Sequence, residues 1–171
     1  MTKNIFLVQE LLKEHSRKRT SPKCMIKVDL HKAYDSLSWG FIWKILKAFK
    51  FPPAFISLVM ECITTTSFSL KFNGNLFGYF KGARGLRQGD PISPYLFVLC
   101  MEYFSQLIKQ LTLKKEFSYH SKCKNMGLVH LAFADDLILF CLGDIPSVWL
   151  LLQGLDTFNR CSGLNANPLK S

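Results

Sequence analysis

Two adjacent carboxylates, Asp135 and Asp136, stand between the apolar runs His130-Leu131-Ala132-Phe133 and Leu137-Ile138-Leu139-Phe140. Placing such a pair inside an apolar hairpin costs several kcal/mol unless something compensates it. A divalent cation is the natural compensation, because Mg²⁺ favours a few carboxylate oxygens together with substrate phosphates. A polar hairpin turn, in which Asp is common, is the plainer alternative. Asp29 is the second unusual carboxylate. It ends Met25-Ile26-Lys27-Val28-Asp29 and shares a strand face with Lys27, so a simple salt bridge between the two would also account for it. If the strands holding Asp29 and Asp135 are neighbours, their carboxylates converge on one cluster. Two metals about 3.5–4 Å apart can then activate a 3′-hydroxyl and stabilise a leaving pyrophosphate.

Between these acidic elements lies Gly82-Ala83-Arg84-Gly85-Leu86-Arg87-Gln88-Gly89-Asp90-Pro91. Its glycines allow close backbone approach, and its two arginines offer phosphate contacts. Gln88 can hydrogen-bond a base or a sugar. An ordinary loop before a helix would carry much the same composition, so the weight of this segment comes from its place between the two acidic elements.

The elements that must position these residues follow from periodicity. A helix fits residues 4–15, with Ile5, Val8, Leu11 and Leu12 on one face. Residues 24–30 alternate as a strand. Ser38 can cap a helix over 39–50, whose Lys44, Lys47 and Lys50 form a polar stripe. Pro52-Pro53 ends it, and a second helix fits 54–63. Segments 67–72 and 75–80 flank Asn73-Gly74, a strong hairpin-turn signal. An apolar helix fits 95–111, strands fit 128–133 and 137–142, and a last helix fits 147–160. The expected class is α+β, with an antiparallel sheet backed by helices on one face.

Composition narrows the function classes. With 49% hydrophobic and 20% charged residues among 171, the chain has the makings of a packed core, and intrinsic disorder is excluded. No apolar run approaches the roughly 18–20 residues of a membrane span. Nor does the N-terminus read as a secretory signal, since Lys3, Glu10, Lys13 and Glu14 interrupt it. None of the six cysteines forms a C-x-x-C pair, so they read as reduced core residues rather than a zinc site or disulfide framework. The net charge is +10. Residues 1–50 hold 11 basic and 4 acidic residues, and Arg17-Lys18-Arg19 is their densest cluster. Such a surplus suits a polyanionic partner, although a solvated basic face has the same composition.

Taken together, the motifs resemble the reverse transcriptases, and most closely those of non-LTR (LINE-type) retrotransposons of the plant type. Asp29-Leu30-His31-Lys32-Ala33-Tyr34-Asp35-Ser36 is similar to their first palm motif, and Gly85-Leu86-Arg87-Gln88-Gly89-Asp90-Pro91-Ile92-Ser93-Pro94 to the second. Phe133-Ala134-Asp135-Asp136 resembles the third, the aromatic-x-Asp-Asp box, and Asn159–Ser171 the fourth. Three motifs in the right order and spacing are far more specific than one, and the resemblance covers essentially the whole chain. A group II intron maturase or a telomerase is a third reading, which the Lys-Ala-Tyr-Asp-Ser-Leu-Ser-Trp and Gly-Leu-Arg-Gln-Gly-Asp-Pro-Ile-Ser-Pro wording disfavours against the LINE type, although maturases share parts of it.

The resemblance implies a polymerase palm and roles residue by residue. Asp29, Asp135 and Asp136 would be the catalytic acidic triad, holding two Mg²⁺ ions (or Mn²⁺) with the Leu30 carbonyl as a further ligand. Tyr34 would be the steric gate against a 2′-hydroxyl, with a core aromatic as its alternative role. Arg87 would contact substrate phosphate. Gln88 and Gly89 would border the templating pair and the incoming nucleotide, and Phe133 would support the primer end. Lys170 would protonate the leaving pyrophosphate. The implied partners are an RNA template, a DNA primer and a dNTP, without a membrane; localisation stays open, the family suggesting an intracellular setting with the nucleus as a candidate. Set against the family, residues 1–171 read as one palm-centred fragment with most of the fingers and all of the thumb missing. Such a fragment is expected to be inactive in isolation. A retroelement remnant with at most weak nucleic-acid binding is the competing expectation.

Overall fold

The structure, a computed structural model, describes residues 22–133 and 135–166. The expected helix at 4–15, the Arg17-Lys18-Arg19 cluster and Lys170 lie outside the described residues. The described residues divide into two compact units, one of residues 22–30, 104–133, 135–158 and 166 and the other of residues 31–103 and 159–165.

In the first unit β1 (Lys23–Asp29), β5 (Asp136–Leu142) and β4 (His130–Phe133) form an antiparallel sheet in the order β1-β5-β4. The register sets Lys23 opposite Leu142 and Asp29 opposite Asp136, while Phe133 of β4 also faces Asp136. Alternation then separates two faces. Val28, Leu137, Leu139 and Cys141 are buried on one of them. His130 is on this side, and Phe104 of α4 (Ser93–Leu111) meets its ring edge-on at 5.4 Å. Phe158 of α5 (Ile145–Ser162) packs on Phe104 at 5.0 Å. The two helices approach closely because position 154 is a glycine: an added Cβ there would lie 2.6 Å from Leu111 Cδ1. The opposite sheet face carries a smaller apolar cluster of Cys123 and Phe140 with Met25, Leu128, Leu131 and Ile138. Towards the β4–β5 turn this same face becomes polar, with Lys27, Asp29 and Asp136.

The second unit contains α1 (Ala33–Ser36), α2 (Trp39–Ala48), α3 (Pro53–Thr64) and the hairpin β2 (Ser67–Phe72)–β3 (Asn75–Lys81). The amphipathic faces of α2 and α3 bury Phe41, Ile42, Ile45, Leu46, Ile56, Val59 and Ile63. Pro53 opens α3 at its first turn, where its missing N–H costs nothing. Asn73 and Gly74 both take positive φ, 47° and 84°, as a two-residue turn matched to strand twist requires.

The α+β class, the antiparallel sheet and every expected strand and helix among the described residues are present, with ends shifted by a few residues. The short helix α1 was not anticipated. Ser38 occupies the N-cap position of α2, but its side chain makes no capping hydrogen bond. The cysteine expectation needs correction: Cys100, Cys123 and Cys141 are buried, whereas Cys62 and Cys161 are exposed. These two lie on the solvent stripes of α3 and α5, where helical periodicity rather than residue type decides burial. Among the described residues no helix is long and apolar enough to cross a membrane.

Candidate active site

The three acidic candidates, Asp29, Asp135 and Asp136, belong to the first unit and gather at one end of its sheet. Phe133 and Asp136 are paired, so only residues 134 and 135 connect β4 to β5. The Leu30 N–H donates to the Asp135 carbonyl at 2.8 Å, tying that turn to the end of β1. Hydrogen-bonded and non-hydrogen-bonded pairs alternate along an antiparallel ladder. Leu30 and Asp135 mark a bonded position, so the adjoining pair, Asp29 and Asp136, is of the closer kind. Such pairs have Cα atoms about 4.5 Å apart and side chains on one face. Like charges directly opposite each other are destabilising.

Lys27, two residues before Asp29 on the same face, supplies the opposing charge. Its Nζ lies 3.0 Å from Asp136 Oδ1. The Asp136 hydrogen bond and charge raise the Lys27 pKa against a small opposing effect of burial, and the charges of Asp29 and Asp135 add to the rise. One ammonium therefore feels all three carboxylates. The expected ion pair along the strand is replaced, for Lys27, by one across the sheet: a diagonal neighbour is within reach of its long stem.

The apolar flanks suggested a buried acidic pair. The structure instead leaves Asp135 exposed and the Asp136 side chain 41% accessible. The apolar neighbours of Asp136 fill the sheet interior, while the charges stand at its rim. What a cation would offset here is mutual repulsion more than desolvation.

Among the described residues, no three His, Cys, Asp or Glu side chains stand close enough together to hold a metal ion as they are oriented. The donor chemistry nonetheless suits Mg²⁺, which keeps several waters and uses one or two carboxylates with substrate phosphates. The opposed Asp29 and Asp136 provide two such carboxylates, and the position of Lys27 marks where positive charge is attracted. Leu30 is buried and bridges to Ala166. Phe133 is half-buried beside Asp136.

The remaining candidates belong to the second unit. The Tyr34 ring is half-buried and stacks on Phe97 with centroids 5.0 Å apart and planes 18° from parallel. Its carbonyl accepts the Leu86 N–H at 2.7 Å, the Gly85 N–H reaches the Leu37 carbonyl at 2.8 Å, and Trp39 Nε1 donates to the Gly85 carbonyl at 2.7 Å. These bonds lace the second motif onto the end of the first. Gly85 has φ +91°, and a Cβ there would sit 2.6 Å from the Asp35 carbonyl oxygen. Its close approach is therefore to the chain itself. Gly89, at φ +90°, has open space around its missing Cβ. The Asp90 carboxylate accepts the Ile92 N–H at 3.1 Å and leads the chain into α4. Arg87, Gln88 and Gly89 are exposed. Sequence reasoning missed the reach of Lys27 to all three carboxylates, and it missed the aromatic wall of Phe68 and Phe80 beside Arg84. The signal for the wall was present in the aromatic residues on both arms of the Asn73-Gly74 hairpin.

A family model described as reverse transcriptase (RNA-dependent DNA polymerase) matches residues 1–171. The chain is 36% identical over 163 residues to the retrovirus-related Pol polyprotein from type-2 retrotransposable element R2DM of Drosophila melanogaster, covering 95% of this chain and 15% of that protein. It is 31% identical over 141 residues to the transposon TX1 149 kDa protein of Xenopus laevis, covering 80% of this chain and 10% of that one. The chain thus spans a small part of the length of these relatives. In solved structures it is similar to Candida tropicalis telomerase in complex with a fragment of telomeric RNA, with a TM-score of 0.68, 14% identity and coverage of 99% of this chain and 28% of that one. That likeness is one of fold, an α+β palm.

Proposed function

From the premise that this chain belongs to the reverse transcriptase (RNA-dependent DNA polymerase) family, we propose that residues 1–171 form a palm-centred region of an RNA-directed DNA polymerase, with Asp29, Asp135 and Asp136 holding its divalent cations. The observation that carries this reading is the direct pairing of Asp29 with Asp136, with Asp135 in the turn that Leu30 ties down. Bound Mg²⁺ would supply Lewis-acid activation of a primer 3′-hydroxyl and neutralisation of the leaving pyrophosphate. The chain's own contribution is positional. Asp29 and Asp136 share one face at the sheet rim with Asp135 in the adjoining turn, and Lys27 sets a positive charge against them. Phe133 beside Asp136 offers a flat support for a primer end. By the family match, Tyr34 would limit the sugar, Arg87 would meet phosphate, and Gln88 and Gly89 would border the nascent pair. Lys170 would protonate pyrophosphate. An RNA template, a DNA primer and a dNTP are the corresponding partners.

Nucleotidyl transfer of this kind depends almost wholly on positioning and charge stabilisation. The matched region is 15% of the length of the Drosophila relative. We therefore expect the isolated 171 residues to bind metal without efficiently extending a primer. Two measurements test the reading. Mn²⁺ titration of the isolated chain should detect binding that Asp135→Asn or Asp136→Asn weakens. RNA-templated extension of a DNA primer by a full-length Pol protein carrying this region should be lost on Asp135→Asn with circular dichroism unchanged. Extension that survives the substitution overturns the metal assignment. Nucleic-acid binding without any metal binding would favour a non-catalytic remnant.

A further inference from the structure

The second unit contains an open cleft of about 520 Å³, lined by Phe68, Phe80, Arg84, Arg87, Gln88 and Asp35 among others. Its volume lies in the range of about 300–1,000 Å³ of small-ligand sites. One wall is aromatic. Phe68 and Phe80 are direct cross-strand partners of the β2–β3 hairpin, stacked with centroids 5.7 Å apart and planes 27° from parallel. They remain 42% and 52% exposed, so ring surface is open to a ligand.

That wall is held in place from behind. The Phe68 ring lies against Gly82, where an added Cβ would come within 3.3 Å of Phe68 Cε2 and 3.1 Å of Thr66 Oγ1. The Gly82 N–H in turn bonds the Thr66 carbonyl at 3.1 Å. The facing wall is the Arg84–Gln88 segment, fixed by the hydrogen bonds of Gly85 and Leu86 to Leu37 and Tyr34. Arg84 and Arg87 are exposed, and no ion pair within 4 Å involves either among the described residues. Asp35 adds one carboxylate, so the cleft is not a simple anion trap.

Open aromatic faces, guanidinium groups, one amide and one carboxylate match the parts of a nucleotide: a base to stack, a phosphate, and donors at base edges or ribose hydroxyls. We propose that this cleft is a subsite for one unpaired nucleotide of a single-stranded nucleic acid. Its base stacks on Phe80 and Phe68, its phosphate meets Arg84, and Gln88 and Asp35 meet its polar edge. The inference rests on reading the chain as nucleic-acid-binding. It adds Phe68, Phe80 and Arg84 to the residues already assigned, and it requires nothing of the acidic cluster.

Fluorescence anisotropy of a labelled 12-nucleotide single strand and of a matched duplex, titrated with the 171-residue chain over a range of salt, tests it. Phe80→Ala should weaken single-strand binding by roughly 5- to 100-fold, the scale of one lost base–aromatic stack, and leave duplex binding unchanged. Because stacking is not ionic, that variant should keep the salt slope, whereas Arg84→Ala should lower it by about 0.7. Phe80→Trp should retain affinity and show indole quenching by the single strand, which guards against misreading a folding defect. Single-strand affinity indifferent to Phe80→Ala overturns the subsite, as does an equal loss on the duplex, or binding to neither strand. Displacement of the strand by an acidic peptide as readily as by unlabelled strand would assign the cleft to a protein instead. If the subsite fails while Asp135→Asn still abolishes extension, the metal reading stands alone. The converse result would leave the subsite standing without it.

Discussion

Three carboxylates gather at the rim of the β4–β5 hairpin, and among the described residues Lys27 sets a positive charge against them, 3.0 Å from Asp136 Oδ1. On the proposed metal reading, a divalent cation arriving there would compete with that ammonium. Lys27→Met keeps most of the stem and removes the charge. Mn²⁺ binding to the isolated chain should then tighten by a few-fold, in keeping with the modest strength of exposed ion pairs; unchanged or weaker binding would mean that Lys27 does not compete with metal. The thiols separate by environment. Burial pushes Cys100 up to about 12, and burial followed by the influence of Cys24 does the same to Cys141. Cys62 and Cys161 are exposed. Since the thiolate is the nucleophile, iodoacetamide at pH 8 should label Cys62 and Cys161 first and reach Cys100 and Cys141 only on unfolding, as peptide mass spectrometry would show. The same two buried thiols hold their protons more tightly folded than unfolded. Their stabilising effect is therefore complete below about pH 9 and is lost as pH rises towards 12, which urea midpoints across that window would register.

At the scale of elements, two glycines of the second motif differ in kind. Gly89→Ala meets only the cost of a positive φ, about 1–2 kcal/mol, because the space around its missing Cβ is open. Gly85→Ala adds a backbone collision, with the Asp35 carbonyl oxygen 2.6 Å from the new Cβ, so the lacing to Tyr34 and Leu37 must shift. Its loss should exceed that of Gly89→Ala, reaching roughly 3 kcal/mol or more in urea denaturation. Equal losses would show that the lacing is compliant. The strands and the long helices were legible because periods of 2 and 3.6 are local properties of the chain. The turn at Asn73-Gly74 was legible because its residues supply the positive φ angles. The α1 turn was not: four residues are too short to carry a period, and hydrogen bonds from the distant Gly85 and Leu86 segment set the chain around it.

Over the whole molecule, the charge of +10 is concentrated towards the N-terminal third, and Arg17, Lys18 and Arg19 lie outside the described residues. Each Lys or Arg that neutralises a phosphate contributes about 0.7–0.9 to the slope of log K against log salt. Replacing all three by Ala should lower that slope by up to about 2 for a single strand. An unchanged slope would identify the cluster as a solvated loop. This electrostatic contribution and the stacking expected of Phe80 are separable, since salt weakens the first and leaves the second largely intact.

The individual motifs, the strand and helix periods and the hairpin turn are written in the sequence, because each is carried by residues within a few positions of one another, and the order of the motifs is read directly along the chain. From the periods came the α+β class, and from the resemblance to reverse transcriptases came the palm and the roles of Asp29, Asp135 and Asp136. Tertiary structure alone decided what surrounds those carboxylates. Antiparallel register set Asp29 opposite Asp136, although 107 positions separate them in the chain. The exposed end of the hairpin left their charges at the rim rather than buried. The pairing of β2 with β3 likewise set Phe68 against Phe80. These outcomes depend on which distant backbones share hydrogen bonds, and that is a property of the packed chain that no local spacing encodes.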